Sequence, residues 1–375
     1  MRVLSVFGTR PEAIKMAPVV HALNNAPDIE SFVCVTAQHR DMLDQVLDLF
    51  EITPDDDLDL MQPGQSLHEL TARILIHFKP ILDKRQPDMV LVHGDTATCF
   101  AATLAAFYAQ IPVGHVEAGL RTYDLTAPFP EEGYRQLTDR LSSLYFAPTQ
   151  RAAEALAKEG VNNDNISITG NTVIDALLWM RNRLQPLNDG STIYGSAAAI
   201  IDDSNTSIIL VTGHRRESFG QGFENICQAI RRIAQQHSEV HIVYPVHLNP
   251  RVQEPVHRLL NDLSNVHLID PLNYQDFVRL MDRCHIILTD SGGIQEEAPS
   301  LNKPTLVMRE TTERPEGIDA GVVRLVGTKG SDIVDAVDLL LTDPKAYQAM
   351  SKAINPYGDG QAAQRIVEVI RQRLS

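Results

Sequence analysis

The sequence predicts a two-domain α/β protein built on parallel sheets, and three observations predict it. A chain of 375 residues is longer than one ordinary core supports. Short apolar runs alternate with helical patterns almost from end to end, which means parallel strands joined by right-handed crossovers. The alternation falls into two series, separated by a stretch from Gln185 to Thr206 that is rich in Pro, Asn, Asp, Gly and Ser and reads as a surface segment near the domain boundary.

Strands of the first series are expected at Val3–Phe7, Phe32–Thr36, Met89–His93, Val113–Val116 and Tyr145–Ala147. Those of the second are expected at Ile208–Thr212, Val240–Tyr244, Val266–Ile269, His285–Thr289, Thr305–Met308 and Val322–Val326. Between them lie amphipathic stretches such as Ala13, Met16, Ala17, Val20 and Leu23 on one helical face. Pro344 to Met350 and Gly360 to Leu374 read as closing helices.

Composition narrows the function. Hydrophobic content of 43% and charged content of 22% are those of a soluble globular protein. A net charge of −15 argues against a nucleic-acid partner, which needs a basic surface. The opening apolar run stops at Gly8, short of a signal peptide, and no run approaches the ~20 residues that span a bilayer. Cys34, Cys99, Cys227 and Cys284 are scattered and read as reduced, buried thiols of a cytoplasmic protein. His39, His93, His115 and His247 lack a metal-ligand spacing, so no metal site is expected.

Ligands of open parallel sheets bind beyond the carboxyl ends of the strands, so the polar segments there hold the candidate residues. Thr9 and Glu12 have capping-box spacing around Pro11, but Arg10 and Lys15 sit near a helix start, where cations are unfavourable without an anionic ligand. Asp95 reads on its own as the N-cap of a helix beginning near Thr96. Glu117 ends a strand before Gly119 and is a poor cap. Glu131 and Glu132 open a helix after Pro130, with Arg135 four positions after Glu131 as a helical ion pair. Convergence on one edge makes a catalytic carboxylate cluster plausible. Gly213-His214-Arg215-Arg216 places a histidine at a strand terminus within reach of a phosphate. The following Gly220-Gln221-Gly222 lacks the third glycine of the dinucleotide fingerprint, so no nicotinamide cofactor is expected.

Ser291-Gly292-Gly293 opens a helix after a strand and suits an anion through free backbone N–H groups. Glu296 and Glu297 follow and lie about 100° apart around that helix. One can accept ribose hydroxyls while the other serves packing or solvent, so a nucleotide diphosphate satisfies both the glycine turn and the acid.

At these residues the chain closely resembles the non-hydrolysing UDP-N-acetylglucosamine 2-epimerases. The matching motifs include Phe7-Gly8-Thr9-Arg10-Pro11-Glu12, Val92-His93-Gly94-Asp95-Thr96, His115-Val116-Glu117-Ala118-Gly119-Leu120-Arg121, Thr212-Gly213-His214-Arg215-Arg216-Glu217, Thr289 through Glu297, and Thr311-Thr312-Glu313-Arg314-Pro315-Glu316. The resemblance implies two Rossmann-like, doubly wound parallel-sheet domains facing across a GT-B-like cleft. Residues 1–170 would carry the acid/base groups and 171–359 would bind UDP, with the helix of 360–375 packing back on the first domain. It implies a cofactor-free homodimer that interconverts UDP-N-acetylglucosamine and UDP-N-acetylmannosamine for polysaccharide synthesis. Asp95, Glu117 and Glu131 match its acid/base candidates and His214 the group that supports UDP departure. Arg10, Lys15, Arg135, Phe277, Ser291, Gly292, Gly293, Glu297 and Arg314 match nucleotide-sugar contacts. Arg73, Arg215 and His247 match contacts to a second, activating nucleotide sugar. Tyr134, in Pro130-Glu131-Glu132-Gly133-Tyr134-Arg135, departs from the family's usual Asn, and Leu272 replaces a common polar residue; both bear on substrate preference.

The chemistry fits that inventory. Carbon 2 of the sugar has no neighbouring carbonyl, so inversion needs either transient oxidation or loss of the anomeric leaving group. Elimination asks for a base at C2–H, a stabilised UDP and an acid/base group on the other face. Which carboxylate takes which proton stays open. A glycosyltransferase, a hydrolysing relative and a non-catalytic nucleotide-sugar sensor are the rival readings. The three acids together favour an enzyme over the sensor.

Overall fold

In the computed structural model, residues 1–374 are described except 38–39, 61–63, 186–190, 194 and 204. His39 and part of the 185–206 segment therefore lie outside the described residues. The chain divides into two compact units, one of Met1–Ala176 with Tyr357–Ser375, the other of Leu177–Pro356.

The first unit begins with β1 (Arg2–Phe7), α1 (Arg10–Asn24), β2 (Glu30–Val35), α2 (Arg40–Leu49), β3 (Asp56–Asp57) and α3 (Leu67–Arg85). It continues through β4 (Met89–His93), α4 (Ala97–Tyr108), β5 (Val113–Val116), α5 (Glu131–Leu141), β6 (Leu144–Ala147), α6 (Gln150–Lys158) and β7 (Ile166–Ile168). The seven strands form one sheet in the order β3-β2-β1-β4-β5-β6-β7, parallel throughout. Helices cover both faces, which is why β4 (Met-Val-Leu-Val-His) is buried at every position and reads as a continuous apolar run. β3 and β7 lie outside the expected set because one has two acidic residues and the other three half-exposed ones, too little for a periodic signal.

The second unit takes over within α7 (Thr172–Arg181) and runs through α8 (Gly195–Asp202), β8 (Ser207–Thr212), α9 (Gln221–Gln236), β9 (Val240–Pro245), α10 (Pro250–Leu260), β10 (Val266–Ile269) and α11 (Tyr274–Arg283). Then come β11 (Ile286–Thr289), α12 (Gly292–Glu297), β12 (Thr305–Val307), α13 (Pro315–Asp319), β13 (Val323–Leu325), α14 (Gly330–Thr342) and α15 (Pro344–Ser351). Its six strands, also parallel, have the order β10-β9-β8-β11-β12-β13. Phe223, Ile226, Ile230 and Ile233 of α9 pack there on Ile209, Val211, Ile242 and Tyr244 of the strands.

The last helix, α16 (Ala362–Leu374), belongs to the first unit and packs on α1. Ile366, Val367 and Ile370 are buried, whereas Val369 is half-buried. Asp175 accepts hydrogen bonds from the N–H groups of Ala362 and Ala363 at 3.2 and 2.8 Å. The N–H of Asn171 donates to Tyr357 O at 2.7 Å.

Strand order reverses between β1 and β4 in one sheet and between β8 and β11 in the other. Open α/β sheets bind ligands at such switch points. The loops there are Gly8-Thr9, Gly94-Asp95-Thr96, Gly213-His214-Arg215 and Asp290-Ser291.

Candidate active site

In the first unit the acids gather around Arg135. Glu117 follows β5 with φ of 65°, a left-handed conformation that costs a non-glycine residue roughly 1–2 kcal/mol. The Arg135 guanidinium holds it there, donating from Nη1 to Glu117 O at 2.9 Å and from Nη2 to Oε1 at 3.0 Å. Glu117 Oε2 accepts from Asn171 Nδ2 at 3.0 Å and from Lys15 Nζ. Arg135 Nη2 also meets Asp95 Oδ2 at 2.6 Å, so one cation bridges two acids. Burial would push the Glu117 carboxyl up, but Lys15 and Arg135 hold it well below the usual carboxylate range.

Two local expectations are corrected here. Thr96, not Asp95, caps α4 by accepting from Cys99 N, because its hydroxyl oxygen fits the cap and leaves Asp95 free to face Arg135. The expected helical pair of Glu131 with Arg135 gives way to that same bridge. Glu131 opens α5 half-buried, and its Oε2 is buried without a hydrogen-bond partner.

His93 stands beside this group, 3% exposed, with Nε2 3.8 Å from Glu117 Oε2. Burial pushes its imidazole down to about 3, so it stays neutral next to the acid. Arg10 opens α1, half-buried. Behind it Glu12, 2% exposed, accepts from Gly8 N, Thr9 N, and the hydroxyls of Thr9 and Thr96 at 2.6–3.0 Å. It thereby ties the loop after β1 to the loop after β4. Gly8 is required there: a Cβ would lie 2.0 Å from Thr36 Oγ1.

In the second unit Asp290, 1% exposed, accepts the N–H groups of His214 and Arg215, each at 2.7 Å. Burial raises this carboxyl, yet His214 and those N–H groups hold it lower than usual. His214 is 42% exposed and stacks on His247, centroids 5.3 Å apart. Arg215 keeps a buried Nε without a hydrogen-bond partner, as Arg73 of α3 does with Nη1.

Ser291 stands at the N-cap of α12 without capping through its side chain, and Gly292 and Gly293 follow it. Glu296 and Glu297 are 2% and 8% exposed, so neither serves solvent. Glu296 is paired with Arg314, and Glu297 lies beside Gly293, whose added Cβ would lie 3.8 Å from Glu297 Oε2. Phe277 lies half-buried on α11. Arg309, 4% exposed, engages Glu217 and Glu313 and braces the loop that carries Arg314.

Tyr134 turns into packing: its ring stacks on Phe100 at 5.4 Å beside Leu60, Leu70 and Ile74. Sequence reasoning misses Asn171, His93, Asp290 and Glu12 as supports. For Asn171 the signal exists, since Thr169-Gly170-Asn171 follows β7, but that strand is itself too short to see.

Two parallel α/β units with polar residues gathered at each switch point define a class of proteins that also contains a glycotransferase of kitacinnamycin. That structure has a TM-score of 0.66 at 12% identity, over 100% of this chain and 99% of that one, a likeness of fold alone. Within this class the family is specific: residues 21–371 match the model of the UDP-N-acetylglucosamine 2-epimerase family. A UDP-N-acetylglucosamine 2-epimerase of Yersinia pestis is 60% identical over 99% of this chain and 98% of its own. A UDP-GlcNAc 2-epimerase structure from Neisseria meningitidis, bound to UDP-GlcNAc, is 50% identical with a TM-score of 0.87, covering 99% of this chain and 100% of its own. The chain belongs to the UDP-N-acetylglucosamine 2-epimerase family and is an enzyme of that class.

Proposed function

We propose that the enzyme interconverts UDP-N-acetylglucosamine and UDP-N-acetylmannosamine by eliminating UDP to 2-acetamidoglucal and adding it back. The C2–H proton goes to a protein carboxylate, the C1–O bond to UDP breaks, and a C1–C2 double bond forms. A proton then returns to the opposite face of C2 while the C1–O bond re-forms. The observation that carries this reading is the bridge Asp95–Arg135–Glu117 at a switch point, with half-buried Glu131 on the same helix as Arg135. Two or three acids poised together supply base and acid without an acceptor substrate.

In this reading Asp95, Glu117 and Glu131 move protons, and His214 supports the departing diphosphate. Arg10, Lys15, Arg135, Phe277, Ser291, Gly292, Gly293, Glu297 and Arg314 hold the nucleotide sugar, Glu297 at ribose. Lys15 exchanges Glu117 for the diphosphate when the ligand arrives. The unpartnered guanidinium atoms of Arg73 and Arg215, with His247, are assigned to a second nucleotide sugar that activates the enzyme. The protein works as a cytoplasmic homodimer and supplies a sugar for surface polysaccharide.

The test is NMR of the purified protein with UDP-N-acetylglucosamine alone in D2O. Both epimers should appear with deuterium at C2, with traces of UDP and 2-acetamidoglucal. Epimerisation that retains the original hydrogen overturns the elimination, and turnover that needs an acceptor favours a glycosyltransferase.

A further inference from the structure

Behind the acids lies a further buried carboxylate, Asp139, on α5 one turn beyond Arg135. It is 1% exposed, and its oxygens reach both loops that carry acids. Oδ1 is hydrogen-bonded to His115 Nδ1 at 2.5 Å, and His115 Nε2 lies 2.8 Å from the carbonyl oxygen of Gly94, the residue before Asp95. Oδ2 accepts from Gly119 N at 3.2 Å, two residues after Glu117, and from Arg121 Nη2 at 2.6 Å. Arg121 is in turn anchored on Glu159 at 2.8 Å.

We infer that Asp139 is a positioning residue, which sets the geometry between Asp95 and Glu117 by holding Gly94 through His115 and Gly119 directly. The inference rests on the proposed reaction. Arg135 bridges the two acids on one side, and Asp139 ties their loops together four residues further along the same helix. The His115 ring thus links the Asp139 carboxylate to the Gly94 carbonyl, and a hydrogen bond to an ionised carboxylate is charge-assisted. Gly119 has little freedom of its own: its φ is +84°, and a Cβ would lie 2.3 Å from Ala152 O. Its N–H direction therefore reports the loop's place.

Stability alone does not ask for this arrangement. Buried charged networks are often matched or bettered by well-packed apolar residues, so a buried polar network joining two acid-bearing loops points to geometry. Small errors in the placement of reacting groups are costly, about 10²-fold in rate for ~1 Å.

The test compares Asp139→Asn with the unmodified enzyme and with Glu159→Gln, which touches only the outer end of the network. Asp139→Asn should lower kcat by about 10²-fold with KM for UDP-N-acetylglucosamine near the unmodified value; the melting temperature should fall as a buried charged partner is lost, with the variant still folded at the assay temperature. Glu159→Gln should keep kcat within about twofold, as partly exposed pairs contribute little. A folded Asp139→Asn with unchanged kcat, or one whose loss lies in KM, overturns the inference. If Asp139→Asn fails to fold, His115→Gln is read in its place: a kcat loss in the folded variant supports the inference and an unchanged kcat overturns it. Failure of both to fold also overturns it, because the network then serves the fold alone. An unmodified chain that does not epimerise brings down the proposed function, and this inference with it. An active unmodified chain with an unaffected Asp139→Asn brings down the inference only.

Discussion

Asp290 holds His214 at two levels: its Oδ2 accepts the His214 backbone N–H at 2.7 Å, and its Oδ1 lies 3.3 Å from the His214 ring Nδ1. The loop after β8 is thus suspended from the end of β11, across the switch point of the second sheet. Asp290→Ala should strand the N–H groups of His214 and Arg215 and cost about 1–3 kcal/mol in urea denaturation. UDP affinity by calorimetry should fall as well, since the loop loses its fixed position. Unchanged affinity would separate this loop from the nucleotide.

Glu117→Gln keeps the side chain's shape but removes its proton transfer. The expected loss is 10²–10⁴-fold in kcat, the usual range for a general acid or base. Affinity for substrate should suffer much less than kcat, because Glu117 is assigned to proton transfer and, of the nucleotide contacts, only Lys15 and Arg135 touch it. A variant that turns over normally but binds poorly would make Glu117 a binding residue.

Acid should destabilise the enzyme through a definable set of groups. Glu117, Asp139 and Asp290 are all held below the ordinary carboxylate range in the fold, although burial opposes it, by Lys15 and Arg135, by His115 and Arg121, and by His214 with the neighbouring N–H groups. A depressed folded value gives stability that is complete above the unfolded pKa, near 4, and is lost as pH falls through the folded values. These three carboxylates should therefore leave the urea midpoint flat from pH 7 to 5 and lower it steeply below about 4, on top of the gradual decline below about 6.5 that buried neutral His93 brings. Asp290→Asn should flatten that fall. An equally steep fall in the variant would show that other carboxylates dominate.

Tyr134 stacks on Phe100, so its role is packing as much as contact with the sugar. Tyr134→Asn should cost about 0.5–1.5 kcal/mol for the ring pair, plus the lost apolar burial. kcat should stay within a few-fold. A large change in the ratio of epimers handled, with stability intact, would place the side chain at the substrate instead.

Much of this architecture is legible in sequence because both sheets are covered on two faces, which turns central strands such as β4 and β11 into unbroken apolar runs. The edge strands of the first sheet are not legible, since Asp56–Asp57 looks like a loop, whereas β10 and β13 at the edges of the second are apolar enough to be read. Residues at strand ends stand out through their glycines, which is how Glu117 and His214 are found. Their supports do not stand out. Glu12 reads as a helix cap and is one, yet the same carboxylate also fastens Thr96 from a distant loop. Asp139 and Asp290 carry no local signature, since their partners are brought by the crossovers and not by spacing. Asp95 is misread for the opposite reason, because a local cap rule explains it before its long-range partner Arg135 is known.

The first unit is closed by a segment that follows the second in the chain, with α16 on α1 and Tyr357 O accepting the N–H of the same Asn171 whose side chain reaches Glu117. On the ribosome this reverses the order of maturation. The second unit can complete itself while the first still waits with one helix face uncovered and Asn171 unanchored. A chain in which α16 has not yet docked would then have the loop of Ser291 and Glu297 in place while Asn171, and with it Glu117, still lacks its anchor at Tyr357.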